Sequence, residues 1–324
     1  MQRQVKKLII PVRTPSNLDD GMPFPYDWGN EDTQMSAATD VAQSLMRLAK
    51  VKDLAAKQYR TPSRGNGVMD AKHFNPGYVV DTYEVMGKRV TTVSGPDPDK
   101  RHLLFFHGGS YVLEATAFHR RLIQVLVKKH HMTVSFVDYP LAPEATFETT
   151  RAMALASYQK IVSIYADHTF FLFGDSAGGG LALALLQVLR EKDIRPFPEK
   201  TVLCSPWLDL SLQNKQIPEY EKLDPVLSVE GLQYAASLYS GGKDLSEPFL
   251  SPLFGNIDGL GDILLFVGNR EILYPDCLLF QEKIQKAENS SLSMVLGEAL
   301  IHDWVLFPSK EAKVVPSQID AFLS

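Results

Sequence analysis

The chain has 324 residues, a formal net charge of −5 and an apolar fraction of 45%. That composition supports a sizeable globular core, and the mild acidity argues against a basic surface for nucleic acid or anionic lipid. Two cysteines, Cys204 and Cys277, make no disulfide framework. No apolar run is long enough for a signal peptide or a membrane span. The expected setting is therefore reducing and cytoplasmic.

The first stretch, to about Asn30, is rich in Pro, Gly and Asp and reads as irregular. From Met35 to about Tyr59, apolar residues recur at helical spacing, at Val41, Leu45, Leu48, Val51 and Leu54. The segment Thr61-Pro62-Ser63-Arg64-Gly65-Asn66-Gly67 is a loop signal. Beyond Gly77 short apolar runs alternate with longer amphipathic ones. The runs predict strands at 79–85, 89–93, 103–106, 133–137, 169–173, 201–204, 263–267 and 292–295. Helices are predicted at 117–129, 148–165, 179–191, 275–287 and 310–322. Several strands are continuously apolar, as expected when a parallel sheet is covered on both faces. The alternation predicts an α/β fold with a mostly parallel sheet. Residues 207–248 break it, carrying a loop and one helical segment near 229–238, and read as an insertion above the sheet.

The strongest chemical signal is Gly174-Asp175-Ser176-Ala177-Gly178, between a predicted strand and a predicted helix. A nucleophile in a sharp strand-to-helix turn needs small neighbours, and the two glycines supply them. The following helix would point its N-terminal dipole at developing negative charge. Taken alone, the pentapeptide is equally compatible with a glycine-rich turn. Upstream, His107-Gly108-Gly109-Ser110-Tyr111 follows another strand, where backbone N–H groups can approach a substrate oxygen. Gly108 and Gly109 are the expected oxyanion donors, with Ala177, the residue after the serine, as the third.

Serine needs a base within hydrogen-bond reach. Of eight histidines, His302 stands out because it follows both the serine and the acid candidates. His119, His130 and His131 read as surface positions. Two carboxylates follow the strand at 263–267. Glu271 is closer to the strand end and is preferred as the partner of His302. Asp276 is the rival, placed where it could instead open the next helix. Asp138 and Glu144 read as parts of a turn bracing the oxyanion loop. No cysteine or histidine shows metal-ligand spacing, and neither metal nor cofactor is expected.

Together these segments resemble the hormone-sensitive-lipase-like family of α/β-hydrolases, bacterial carboxylesterases and their relatives. The other matching stretches are Asp138-Tyr139-Pro140-Leu141-Ala142-Pro143-Glu144, Ser205-Pro206-Trp207-Leu208-Asp209-Leu210-Ser211, Ser251-Pro252-Leu253-Phe254 and Ile301-His302-Asp303-Trp304. The resemblance implies an eight-stranded, mostly parallel sheet flanked by helices, with a helical cap. Residues 1–60 and 207–248 would form the cap, and 61–206 and 249–324 the hydrolase core. It further implies Ser176 as nucleophile, His302 as base, and Glu271 where the family usually has Asp. Pro140 stands where relatives usually carry Arg. The expected activity is hydrolysis of small, short-chain acyl esters. An amidase or deacetylase, or a non-catalytic small-ligand receptor of the same fold, remains open. No nucleic-acid or membrane partner is expected, and either a monomer or a homodimer is compatible with the sequence.

Overall fold

The computed structural model describes residues 35–324, so the first stretch, expected from its sequence to be irregular, lies outside the described residues. Eight strands form one sheet: β1 (Val79–Val85), β2 (Lys88–Ser94), β3 (Arg101–Phe106), β4 (Thr133–Val137), β5 (Thr169–Asp175), β6 (Lys200–Cys204), β7 (Gly261–Gly268) and β8 (Ser290–Gly297). Their spatial order is β1-β2-β4-β3-β5-β6-β7-β8. β1 pairs with β2 and β2 with β4 in antiparallel fashion; every later pairing is parallel.

Side-chain alternation explains the continuously apolar strands. In β3, Leu103 and Phe105 enter one core, while Leu104 and Phe106 enter the other. β7 repeats this, with Leu264 and Phe266 on one face and Ile263, Leu265 and Val267 on the opposite face. These central strands therefore bury both faces and have no polar period, whereas the edge strand β1 is largely exposed. Helices α3 (Ala117–His130) and α9 (Val315–Leu323) cover the first face. Helices α4 (Phe147–Ile164), α5 (Ser176–Glu191) and α8 (Tyr274–Ile284) cover the second.

Three elements differ from the sequence expectation. The helix expected over 35–59 is two helices, α1 (Ala37–Leu48) and α2 (Val51–Arg60), broken at Lys50 with φ 51° and ψ 47°. A left-handed residue cannot continue a right-handed helix. The insertion holds two helices rather than one, α6 (Ile217–Glu221) and α7 (Val229–Ser240). At the C-terminus only α9 is α-helical, preceded by a tighter turn at Glu311–Val314. Pro316 lies in the first turn of α9, where its missing N–H costs nothing.

Helix α2 lies against α7. A Cβ on Gly231 would sit 3.2 Å from Ala56 Cβ and 3.2 Å from Tyr59 Cε2, so the glycine permits the close approach. The apolar stripe of α1 does not enter the core: Val41 is 59% and Leu48 79% exposed, while Gln43 is 2% exposed. Gln43 donates to Ala299 O at 3.0 Å, which accounts for its burial.

Candidate active site

Ser176 begins α5 directly after β5 and has φ 50°. A non-glycine residue held left-handed is strained, and such strain collects at functional turns. The turn is sterically closed around it. A side chain on Gly174 would collide with the Gly178 carbonyl, and one on Gly178 with the carbonyls of Phe106 and His107. Gly174 is thus required by the approach of α5 to β5 and Gly178 by its approach to the end of β3, and Ser176 is left at the head of the helix.

His302 meets Ser176 from the opposite end of the sequence. Its Nε2 lies 2.9 Å from Ser176 Oγ, and its Nδ1 lies 2.6 Å from Glu271 Oε2. Glu271 is completely buried. It folds back toward the end of β7, where the Gly268 N–H donates to its other oxygen at 3.0 Å. This return accommodates the extra methylene of Glu. With Nδ1–H donated to the carboxylate, Nε2 is left to accept from the serine.

Asp276 is not part of this line. It sits in the first turn of α8 and accepts from Asn214 Nδ2 at 2.8 Å. Burial pushes its pKa up to about 7, partly offset by Asn214. It belongs to the packing of α8 against the insertion.

The oxyanion loop requires one correction. The Gly108 N–H is committed to Asp175 Oδ2 at 2.8 Å, because that buried carboxylate needs donors. The N–H groups of Gly109, Ser110 and Ala177 meet no acceptor among the described residues. Gly109 has φ 114°, a region suited to glycine. The same Asp175 oxygen lies 3.0 Å from His119 Nε2.

His119 is therefore buried, not a surface residue. The Thr116 N–H donates to its Nδ1 at 2.8 Å, which places the ring proton on Nε2, facing Asp175. Burial pulls its pKa down, and Asp175 more than offsets this and raises it. His107 is also buried, stacked on Tyr139 with ring centroids 4.4 Å apart, and burial lowers its pKa to about 4. It is a neutral packing residue.

Arg64 ties the turn at 140–144 to the oxyanion loop. It donates to Val112 O, to Ala142 O and to Glu144, each at 2.7 Å. Glu144 thus braces the loop, as expected. From α2, the Tyr59 hydroxyl pairs with Ser110 Oγ at 2.9 Å.

Sequence reasoning missed Asp224. Its carboxylate accepts from the N–H groups of Val226 and Leu227, and at 3.0 Å from that of Ile272, the residue after Glu271. It locks the insertion onto the acid loop. Burial pushes its pKa up to about 6, against the pull of His302 and these N–H groups. The signal available was Asp224-Pro225, a turn-initiating pair. Ser176, His302 and Asp303 open onto a cavity of about 620 Å³, walled by Tyr59 of α2, by Val226 and Leu227 of the insertion and by Phe307.

Comparison with known proteins agrees with this architecture. The family profile Abhydrolase_3, described as alpha/beta hydrolase fold, matches residues 103–306. The chain is 32% identical over 216 residues to an esterase of Acinetobacter venetianus, covering 66% of this chain and 71% of that one. It is 34% identical over 190 residues to an acetyl-hydrolase of Streptomyces hygroscopicus, covering 58% of this chain and 63% of that one. Among solved structures, EstE5 soaked with p-nitrophenyl butyrate superposes with a TM-score of 0.74 at 25% identity, covering 89% of this chain and 98% of that one. A hormone-sensitive lipase from a metagenome library superposes with a TM-score of 0.72 at 24% identity, covering 86% and 97%. Fold and relatives define a carboxylic ester hydrolase of the α/β class. Within that class, the chain belongs to the Abhydrolase_3 family. No described helix is long and apolar enough to cross a membrane.

Proposed function

We propose that the chain is a serine carboxylesterase acting on short-chain acyl esters through Ser176, His302 and Glu271, by way of an acyl-enzyme. One observation carries the reading: an unbroken line from Glu271 Oε2 through His302 to Ser176 Oγ, at 2.6 and 2.9 Å, facing the cavity.

In this mechanism His302 Nε2 takes the serine proton as Oγ attacks the ester carbonyl. Glu271 holds the ring and stabilises the imidazolium that forms. The Gly109, Ser110 and Ala177 N–H groups receive the oxyanion, the last at the N-terminus of α5. Gly108 shapes this loop through Asp175 instead of donating. The imidazolium protonates the departing alcohol. Water, deprotonated by His302, then releases the acid and frees Ser176.

The described part of residues 1–60 and the insertion 207–248 act as the cap over a core of 61–206 and 249–324. The contact of α2 with α7 and the cavity wall they share support this division. The acetyl-hydrolase relative and the butyrate-ester-soaked EstE5 support a small acyl group. The same acetyl-hydrolase likeness favours deacetylation of an acylated small molecule as the second reading.

Rates on p-nitrophenyl esters from acetate to palmitate test the proposal. Turnover is expected on the shorter chains, with kcat in Ser176→Ala lower by about 10⁶-fold. A preference for palmitate would contradict the short-chain assignment. Activity only on acylated amines would favour the second reading.

A further inference from the structure

His302 is flanked by two carboxylates, one on each ring nitrogen. Glu271 occupies Nδ1. On the other side Asp303 Oδ2 lies 3.2 Å from Nε2, the nitrogen that also meets Ser176. We propose that Asp303 is a second carboxylate acting on the base. It competes with Ser176 for the Nε2 proton and sets the pH above which His302 can deprotonate the serine. This rests on the triad reading given above.

The placement of Asp303 is built into the fold. Its backbone is left-handed, with φ 53° and ψ 31°, a conformation that Asp tolerates better than most residues. Its N–H donates to Ser205 Oγ at 3.1 Å, which anchors the turn to the end of β6. The side chain is only 15% exposed, and its Oδ1 meets no partner among the described residues. His302 Nε2 is thus the nearest charge-bearing partner of this side chain among the described residues, at ion-pair distance.

The 3.2 Å contact constrains the proton. An ionised Asp303 facing the lone pair of a neutral imidazole would be repelled. At this separation the pair is most favourable as imidazolium with carboxylate, or as imidazole with carboxylic acid. In either form the pair holds one proton more than a triad lacking Asp303, and the pair titrates as a unit. While that proton sits on Nε2, His302 cannot accept from Ser176. Once it leaves to solvent, the base is free. During attack the same carboxylate would stabilise the imidazolium as it forms.

The surrounding groups favour retention of the proton. Glu271 faces His302 from the loop after β7, and Asp224 approaches from the insertion. Asp175 at the end of β5 and Tyr59 of α2 lie nearby, and His119 of α3 is paired with Asp175. Among the described residues, Arg120 is the one Lys or Arg lining the cavity, and it donates to Val68 O. Burial lowers the His302 pKa, but Asp303 and then Glu271 raise it well above its ordinary value. Burial pushes Asp303 up to about 6, opposed by His302.

The test is the pH dependence of kcat/KM for wild type, Asp303→Asn and Asp303→Gly, with Ser176→Ala alongside. Both Asp303 replacements suit a left-handed backbone. The limb in which activity rises with pH reports the free-enzyme base. It is expected to move to lower pH by about one unit or more in both Asp303 variants. Well below the limb, each variant then retains about tenfold more of its own maximal activity than wild type does. Limbs that coincide across the three proteins would overturn the proposal, including a uniform loss of activity at every pH, which is what a purely structural Asp303 would produce. Wild-type turnover in Ser176→Ala would instead overturn the triad reading on which the proposal stands.

Discussion

A carboxylate orients a histidine only if it is held in place itself, and Glu271 is held by the Gly268 N–H and by complete burial. Glu271→Ala is therefore expected to lower kcat by about 10⁴-fold, the scale of an acid lost from a triad. Asp276→Asn, in which the bond from Asn214 has to be rearranged but no contact to His302 is lost, should leave turnover largely intact. Steady-state kinetics on one short ester separates the two. At this scale the three residues of the proposed triad, which the fold brings into one hydrogen-bonded line, could be picked out because each lies in a local motif or at a strand end. Asp175, His119 and Asp303 could not. Their roles depend on partners brought together by folding: Asp175 Oδ2 meets Gly108 and His119, which are distant in the chain. The surplus N–H demand of a buried carboxylate also removed Gly108 from the free donors, which no reading of a Gly-Gly pair reveals.

At the scale of elements, the turn between β5 and α5 and the α2–α7 contact shape the site. Gly178→Ala would drive a methyl group into the carbonyls of Phe106 and His107. It should destabilise the fold by at least about 1–3 kcal/mol, measured by urea denaturation. Helix α2 delivers Tyr59 to Ser110. Tyr59→Phe removes that hydrogen bond, worth about 1 kcal/mol, and should lower kcat/KM by about fivefold if the loop loses its register. Helix and strand positions followed from apolar spacing, but the meaning of the α1 stripe did not. Spacing identifies a face without identifying its neighbour, and in α1 the buried residue is Gln43, satisfied by Ala299 O. The break at Lys50 carries no glycine or proline to announce it.

At the scale of the whole molecule, the central strands are buried on both faces, and the site sits where β5, β7 and the segment after β8 end together. Leu265, fully buried in β7, contributes to the core beside α8. Leu265→Ala should cost about 2–5 kcal/mol of stability, read from a shifted denaturation midpoint at unchanged slope. The α/β class was legible from the alternation of short apolar runs with amphipathic ones. The order β2-β4-β3-β5 was not legible from the strands themselves, since crossover choices are settled by the packing of whole layers. The insertion 207–248 was legible only as a break in that alternation; its contact with the loop after β7, through Asp224 and Ile272, emerges in three dimensions.

The central claim is that Ser176 is a nucleophile activated by His302. Its most direct test is covalent trapping with a sulfonyl fluoride, followed by peptide mass spectrometry of wild type, Ser176→Ala and His302→Ala. The account predicts one adduct, on the peptide containing Ser176, accompanied by loss of esterase activity. It should be absent in Ser176→Ala and formed far more slowly in His302→Ala. An inactivating adduct on any other residue, or trapping at Ser176 as fast without His302 as with it, would contradict the account.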